Sequence, residues 1–277
     1  MYGEYGRLIR GNMRFQGTGE LTVSYALQVP EYRLLRERYP DAGWEIEAPL
    51  QKALFMLSWV HRQIRHAGDY DNADPQDALT LLAVGAGRKK GLNCLAMSVI
   101  LCECLLAAGI RARVMYMMPL DDRDMDNHVV VEAYLPGAGG WVMLDPTYGC
   151  TCADEAGNLL NLMQLRERVA EDRPFFFPAD IRYNGEKVED LDDVRLYYAK
   201  NLFFLRCRQR QGYGEHREYR QMLEIAPEGF DVRRRMVDNL RFRMEAFGAF
   251  PLLQAWKDFE ERQESRYILP EALYREG

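Results

Sequence analysis

The stretch that decides the reading is Gly91-Leu-Asn-Cys94-Leu-Ala-Met-Ser-Val-Ile-Leu-Cys-Glu-Cys-Leu-Leu-Ala-Ala-Gly109. It predicts a helix from about Cys94 to Ala108, with Gly109 as the stop. Cys94 then stands at a helix N-terminus, where backbone N–H groups lack acceptors and the macrodipole is positive. Both effects favour a thiolate and lower the thiol pKa. Arg88, Lys89 and Lys90 lie just upstream and would add to this. The same amides can hold the oxyanion that forms when a thiolate attacks a carbonyl. A lone cysteine at such a place can equally be a small buried hydrophobe, so its partners decide.

Those partners lie C-terminal to it. A strand is expected over Ala112–Met117, followed by a polar loop over Asp121–Asn127. Two more strands, His128–Tyr134 and Trp141–Leu144, flank Pro136-Gly-Ala-Gly-Gly and read as a β-hairpin. His128 opens one strand and is the candidate base; Asp145 closes the other and is the candidate for holding the base's second ring nitrogen. Asp145, just before Pro146, also suits a turn cap. The sequence leaves the hairpin register open, and with it the His128–Asp145 contact.

On the N-terminal side, Ile46, Leu50, Leu54, Leu57, His61 and Ile64 form one helical stripe. Asp74 and Pro75 look like the N-cap and first position of a further helix ending near Gly85 or Gly87. Pro30–Tyr39 reads as a short helix and Leu21–Ala26 as a strand. Beyond Pro146 the pattern is irregular until Leu202-Phe-Phe-Leu, a buried-strand signal. Two helices follow, one on Val232, Met236, Leu240, Met244 and Phe247, and one from Pro251. Together these predict an α+β fold, helices around an antiparallel sheet, in a single compact domain over residues 1–277. The core is expected at about 45–185, with N- and C-terminal elaborations packed on it.

Gly91-Leu-Asn-Cys94 before a helix, Gly109-Ile-Arg-Ala-Arg113, the strand from His128 and Trp141-Val-Met-Leu-Asp145-Pro-Thr147 resemble the transglutaminase-like superfamily. The resemblance runs from about Trp59 to Arg168. It implies a papain-like core with Cys94 as nucleophile, His128 as base and Asp145 as orienting acid. The strand reads His128-Val-Val-Val where members often carry an aromatic residue shortly after the histidine, and no side-chain oxyanion donor has a clear counterpart.

Composition excludes several alternatives. Of 277 residues 48% are hydrophobic and 28% charged, which fits a globular chain and not a disordered one. The net charge of −6 argues against nucleic acid as partner. The longest apolar block, Ala53–Val60, is too short to span a membrane, and Met1–Arg7 lacks a signal-peptide core. Six cysteines are too few for a disulfide scaffold, so reduced thiols and a cytoplasmic location are expected. Cys102 and Cys104 point about 200° apart on a helix, and Cys150 and Cys152 lack a partner pair, so no metal or other cofactor is expected. Asp122, Asp124 and Asp126 imitate a calcium loop but lack its glycine and bidentate Glu; a solvated loop is expected there. His61 is expected to pack in the core, and His66 to be a surface residue at a helix end. His216 has no constellation around it. Gly85–Gly91 imitates a phosphate loop but lacks its Gly-Lys-Ser/Thr ending. The arginines from Arg206 to Arg243 are expected on a solvated helix face.

The expected function is cysteine-dependent acyl transfer on a peptide or protein amide through a thioester. Hydrolysis is favoured slightly over transfer to an amine acceptor, and a non-catalytic peptide-binding scaffold is the alternative.

Overall fold

The apolar periods are realised as ten helices and a six-stranded sheet in a computed structural model describing residues 1–87, 91–217 and 221–275. In chain order the N-terminal part comprises α1 (Gly3–Arg10), β1 (Phe15–Gln16), β2 (Ser24–Tyr25), α2 (Pro30–Arg38), α3 (Pro49–Gln63), α4 (Ala78–Gly87) and α5 (Cys94–Ala107). The middle holds β3 (Ala112–Met118), β4 (His128–Leu135), β5 (Gly140–Leu144), α6 (Leu162–Ala170), β6 (Arg182–Tyr183) and β7 (Glu186–Lys187). The remainder is α7 (Leu191–Asn201), β8 (Phe204–Arg208), β9 (Arg210–Gln211), β10 (Met222–Pro227), α8 (Val232–Phe247), α9 (Pro251–Arg262) and α10 (Pro270–Leu273).

The main sheet runs β1-β10-β8-β3-β4-β5, antiparallel throughout. It is larger than the hairpin visible in the sequence, because β8 and β10 join it from the C-terminal half. The expected α+β build, helices around an antiparallel sheet, is present. Alternate residues face opposite layers. Val114, Val129, Val131 and Leu144 pack with α3, α4 and α5, while Met115, Met117, Val130 and Met143 pack with α6 and α7.

Helix α5 is apolar on all sides, as a helix enclosed by other elements must be. Every residue from Ala96 to Ala107 is buried, including Glu103. Glu103 accepts from the Ala78 and Gly214 amides at 2.7 and 2.9 Å, so its carboxyl sits at the start of α4. Burial pushes its pKa up to about 8 against those bonds.

Several expectations need correction. Helix α4 starts at Ala78, and Asp77 rather than Asp74 takes the Thr80 amide, at 3.0 Å; the Asp74 carboxylate instead receives the Tyr70 hydroxyl. In α3 the fully buried arc is Ala53, Met56, Leu57, Trp59 and Val60, with Leu50 and Leu54 at its edge. The strand expected over Leu21–Ala26 shrinks to Ser24–Tyr25. Leu202 and Phe203 precede the strand, which is Phe204–Arg208. Arg206 and Arg208 are buried in that strand and not on a solvated helix.

The loop before His128 is tied down rather than free in solvent. Lys200 reaches Asp124 at 2.6 Å, Arg235 and Asn239 donate to the Asp121 and Asp122 carbonyls, and Arg243 donates to the Met125 carbonyl. Between β3 and β4, Arg113 and Glu132 form a fully buried ion pair at 2.6 Å. Arg113 also donates to the Leu273 carbonyl and lies over the Trp141 and Tyr274 rings, which fastens the C-terminus to β3. Among the described residues no helix is long and apolar enough to cross a membrane.

Candidate active site

Cys94 is the first residue of α5, as its sequence context implies, with Asn93 as N-cap. The Asn93 side-chain oxygen takes the Ala96 amide at 3.0 Å, and its amide nitrogen donates to the Tyr70 carbonyl and to Asn72. The Cys94 and Leu95 amides have no acceptor inside the helix. Arg88, Lys89 and Lys90, the upstream charges invoked from the sequence, lie outside the described residues, as does part of the Gly85–Gly91 loop.

A backbone clamp sets the approach to Cys94. Leu92 N–H donates to the Arg65 carbonyl at 2.9 Å, and Ala67 N–H donates to the Leu92 carbonyl at 2.7 Å. This parallel bridge requires Gly91: its φ is +92°, and a Cβ there would lie 2.0 Å from the Arg65 oxygen. The bridge carries His66 to the thiol. The sequence placed His66 on the surface at a helix end; it is half-buried in the cleft instead, with Nδ1 2.8 Å from the Tyr183 hydroxyl.

His128 faces Met117 across β3–β4, and Val131 faces Leu144 across β4–β5. Continuing that register sets Asp145 opposite Val130, on the same sheet face as His128 and diagonal to it. His128 Nε2 meets Asp145 Oδ2 at 2.6 Å. Nδ1 is then the ring nitrogen left for Cys94. The two oxygens of Asp145 divide their work. Oδ1 accepts from the Thr147 and Tyr148 amides at 2.8 and 3.3 Å, closing the turn, while Oδ2 takes His128 and the Tyr198 hydroxyl. Oδ1 thus makes the contacts of a turn cap, and Oδ2 the contact with the His128 ring. His61 braces that turn from α3 by donating from Nδ1 to the Pro146 carbonyl at 3.1 Å, and its ring lies against Gly149.

The charges follow from these contacts. Burial would push the Cys94 thiol up, but the hydrogen bonds and charges of His128 and His66 outweigh it and bring the pKa down from 9 to about 7. Burial works against a charged His128, yet the charge and hydrogen bond of Asp145, with Cys94 behind them, raise it to about 10. Burial disfavours the Asp145 carboxylate, and His128, Tyr198 and Thr147 still hold it below the usual carboxylate range. The favoured state near neutrality is thiolate, imidazolium and carboxylate in a row.

Helix α7 supplies what sequence reading missed. Tyr198 bonds Asp145, and Tyr197 sets its ring edge against the His128 ring at 5.3 Å between centroids. A signal for this helix existed: Asp190 caps it, Asp192 and Asp193 fill its first turn, and Lys200 its last.

Cys94, His128 and His66 line one cleft of about 2100 Å³. Its far wall is α8 and α9, with Met236, Leu240, Phe250, Trp256 and Phe259. Among the described residues no group of three His, Cys, Asp or Glu could hold a metal ion.

Residues 43–146 match the family model of the transglutaminase-like superfamily, a span that includes Cys94, His128 and Asp145. No curated protein matches the chain. A solved structure from Cytophaga hutchinsonii, described as a "putative cysteine protease", is similar at 14% identity and a TM-score of 0.32, covering 66% of this chain and 56% of that one. The family match supports a cysteine-dependent enzyme. Residues 43–146, with Cys94, His128 and Asp145 inside them, are thus similar to the core of the transglutaminase-like superfamily.

Proposed function

We propose that the protein is a cysteine-dependent acyl-transfer enzyme acting on amide bonds of peptide or protein substrates. One observation carries this reading: a single imidazole, His128, lies between an activated thiol and a buried carboxylate within a cleft. Cys94 Sγ adds to the amide carbonyl, and the Cys94 and Leu95 amides receive the oxyanion. The C–N bond then breaks to leave a thioester, and the His128 imidazolium gives its Nδ1 proton to the departing amine. In the second half, neutral His128 takes a proton from water, the hydroxyl oxygen adds to the thioester, and collapse releases a carboxylic acid and the thiolate. Asp145 and Tyr198 hold the ring through both halves without entering the bond changes. An amine in place of water would give transamidation. Hydrolysis is favoured, since Cys94 is half-buried and lines the large cleft. The chemistry needs a reduced thiol, in keeping with a cytoplasmic location, and all six cysteines are unbridged.

The test is alkylation by iodoacetamide against pH, with mass spectrometry locating the modified residue. Cys94 should react first, with a midpoint near pH 7, and changing His128 to Gln should move that midpoint up. Cys94→Ala should remove amide turnover altogether while leaving the circular dichroism unchanged. A Cys94 that reacts no faster than an ordinary thiol, or turnover that survives its removal, would sink the reading.

A further inference from the structure

Beyond Cys94, the cleft continues over the face of β3 and β8 that carries Tyr116, Arg206 and Arg208. Tyr116 and Arg206 are cross-strand partners, and Arg208 lies two residues on, on the same face. Tyr116 lines the cleft with both arginines and with Cys94; burial raises its phenol pKa, while the charges of Arg208 and Arg206 and a hydrogen bond with Arg208 work against that rise.

The two arginines are treated differently by the fold. Arg206 meets Glu224 at 3.1 Å and Glu260 at 2.9 Å, so its charge is compensated. Arg208 is only 9% exposed, and among the described residues no carboxylate pairs with it. Its Nε donates to His216 Nδ1 at 3.1 Å, and its Nη1 has no partner. His216 is 6% exposed. Because its Nδ1 accepts, its proton is on Nε2, and that nitrogen also has no partner. Burial and the neighbouring Arg208 keep this ring neutral. Both residues line the same cleft as Cys94. A buried guanidinium without a counter-charge is costly, and a buried N–H without an acceptor adds to the cost. A ligand that relieves both must bring an anion.

We propose that Arg208 and His216 form a carboxylate-binding subsite for the acyl-donor substrate. One positive charge and two donors match a singly charged group with two acceptor oxygens. A phosphate dianion would need a second free cation, and Arg206 is already taken. The inference rests on Cys94 as nucleophile and narrows the substrate to amides that carry a carboxylate, either a free chain terminus or an acidic side chain.

Matched thiol labels of increasing length test it: iodoacetyl-glycine, iodoacetyl-β-alanine and iodoacetyl-γ-aminobutyrate, each against its uncharged primary amide. At one or more of these lengths, the acid should saturate Cys94 at a concentration about tenfold or more below its amide. Arg208→Gln should abolish the acid-to-amide ratio, a quantity that cancels any change in thiol reactivity. Equal saturation by every acid and its amide in the unmodified protein overturns the subsite and needs no variant, so a misfolded Arg208→Gln does not block the test. Slow labelling of Cys94 by plain iodoacetamide would instead count against the nucleophile. In that event the subsite is read by calorimetry on Cys94→Ala protein, where acetyl-glycine should bind and acetyl-glycinamide should not; binding of neither overturns it. Protection of Cys94 by acetyl-peptides ending in a free carboxylate, or by amidated peptides containing Asp, supports the subsite and identifies the source. Protection by neither overturns it.

Discussion

Two regions enclose the cleft, and they are built on different terms. In residues 91–150 each member of the proposed triad is positioned by its own neighbours in sequence: Cys94 by the helix it starts, His128 by its strand, Asp145 by the turn its Oδ1 closes. In residues 191–260 the contributing groups are positioned by packing across the molecule: Tyr197 and Tyr198 from α7, the paired Arg206, and the apolar wall of α8 and α9. The difference teaches that a local motif can specify the reacting atoms, while the environment that tunes them comes from a part of the chain with no motif of its own.

Perturbing the motif-bearing region should have the larger effect. Asp145→Asn keeps the shape but removes the charge that holds His128 protonated, so the rate should fall on the order of 10²-fold or more. A near-normal rate in a steady-state assay would show that His128 is held by its packing alone. Tyr198→Phe attacks the same carboxylate from the other region. Losing one hydrogen bond to a buried charge should slow turnover about tenfold in the same assay and raise the Asp145 pKa, with the acid limb still set by Cys94. If Tyr198→Phe matched Asp145→Asn, the division between the regions would dissolve.

His66→Gln tests the bridge between them. It removes one of the two imidazoles that lower the Cys94 thiol, so the pH midpoint for alkylation should move up from about 7 without reaching that of the His128 variant. In the unmodified protein the thiolate forms above about pH 7 and the imidazolium persists below about pH 10. Amide turnover should therefore follow a bell between those limits, with the upper limb shifting down in Asp145→Asn. The smallest catalytic effect belongs to Tyr274→Phe. It takes the hydroxyl off Glu132, 2.7 Å away, and should cost about 2 kcal/mol in a denaturant melt with little change in turnover per folded molecule.

The same division explains what the sequence made legible. Helix α5 with Cys94 at its start, the glycine stop, strands β3 to β5 and the order of Cys94, His128 and Asp145 all follow from short-range pattern. His66 was unreadable because two backbone bonds across a gap of many residues bring it to Cys94, and only Gly91 hints at them. Strand β10 was missed although Met222–Pro227 is fully buried, because Glu224 interrupts its apolar run and is neutralised only in the fold, by Arg206. Arg206 and Arg208 were misplaced for the same reason: a charge reads as solvated until its buried partner is known. The start of α7 is marked in the sequence by Asp190 as its cap and by Asp192 and Asp193 in its first turn.

The contacts that activate the thiol also bear on whether the chain stays folded. The Cys94 pKa is lower in the native state than in the unfolded chain, so its contribution to stability grows as pH rises past about 7 and is complete above the ordinary thiol value. The His128 pKa is higher in the native state, so its contribution is complete below the ordinary imidazole value and is lost as pH rises through about 10. Both operate together on the mildly alkaline side of neutrality. Over that window the charge state proposed for catalysis is also the one that resists unfolding, so reactivity at this site is gained without the usual sacrifice of stability.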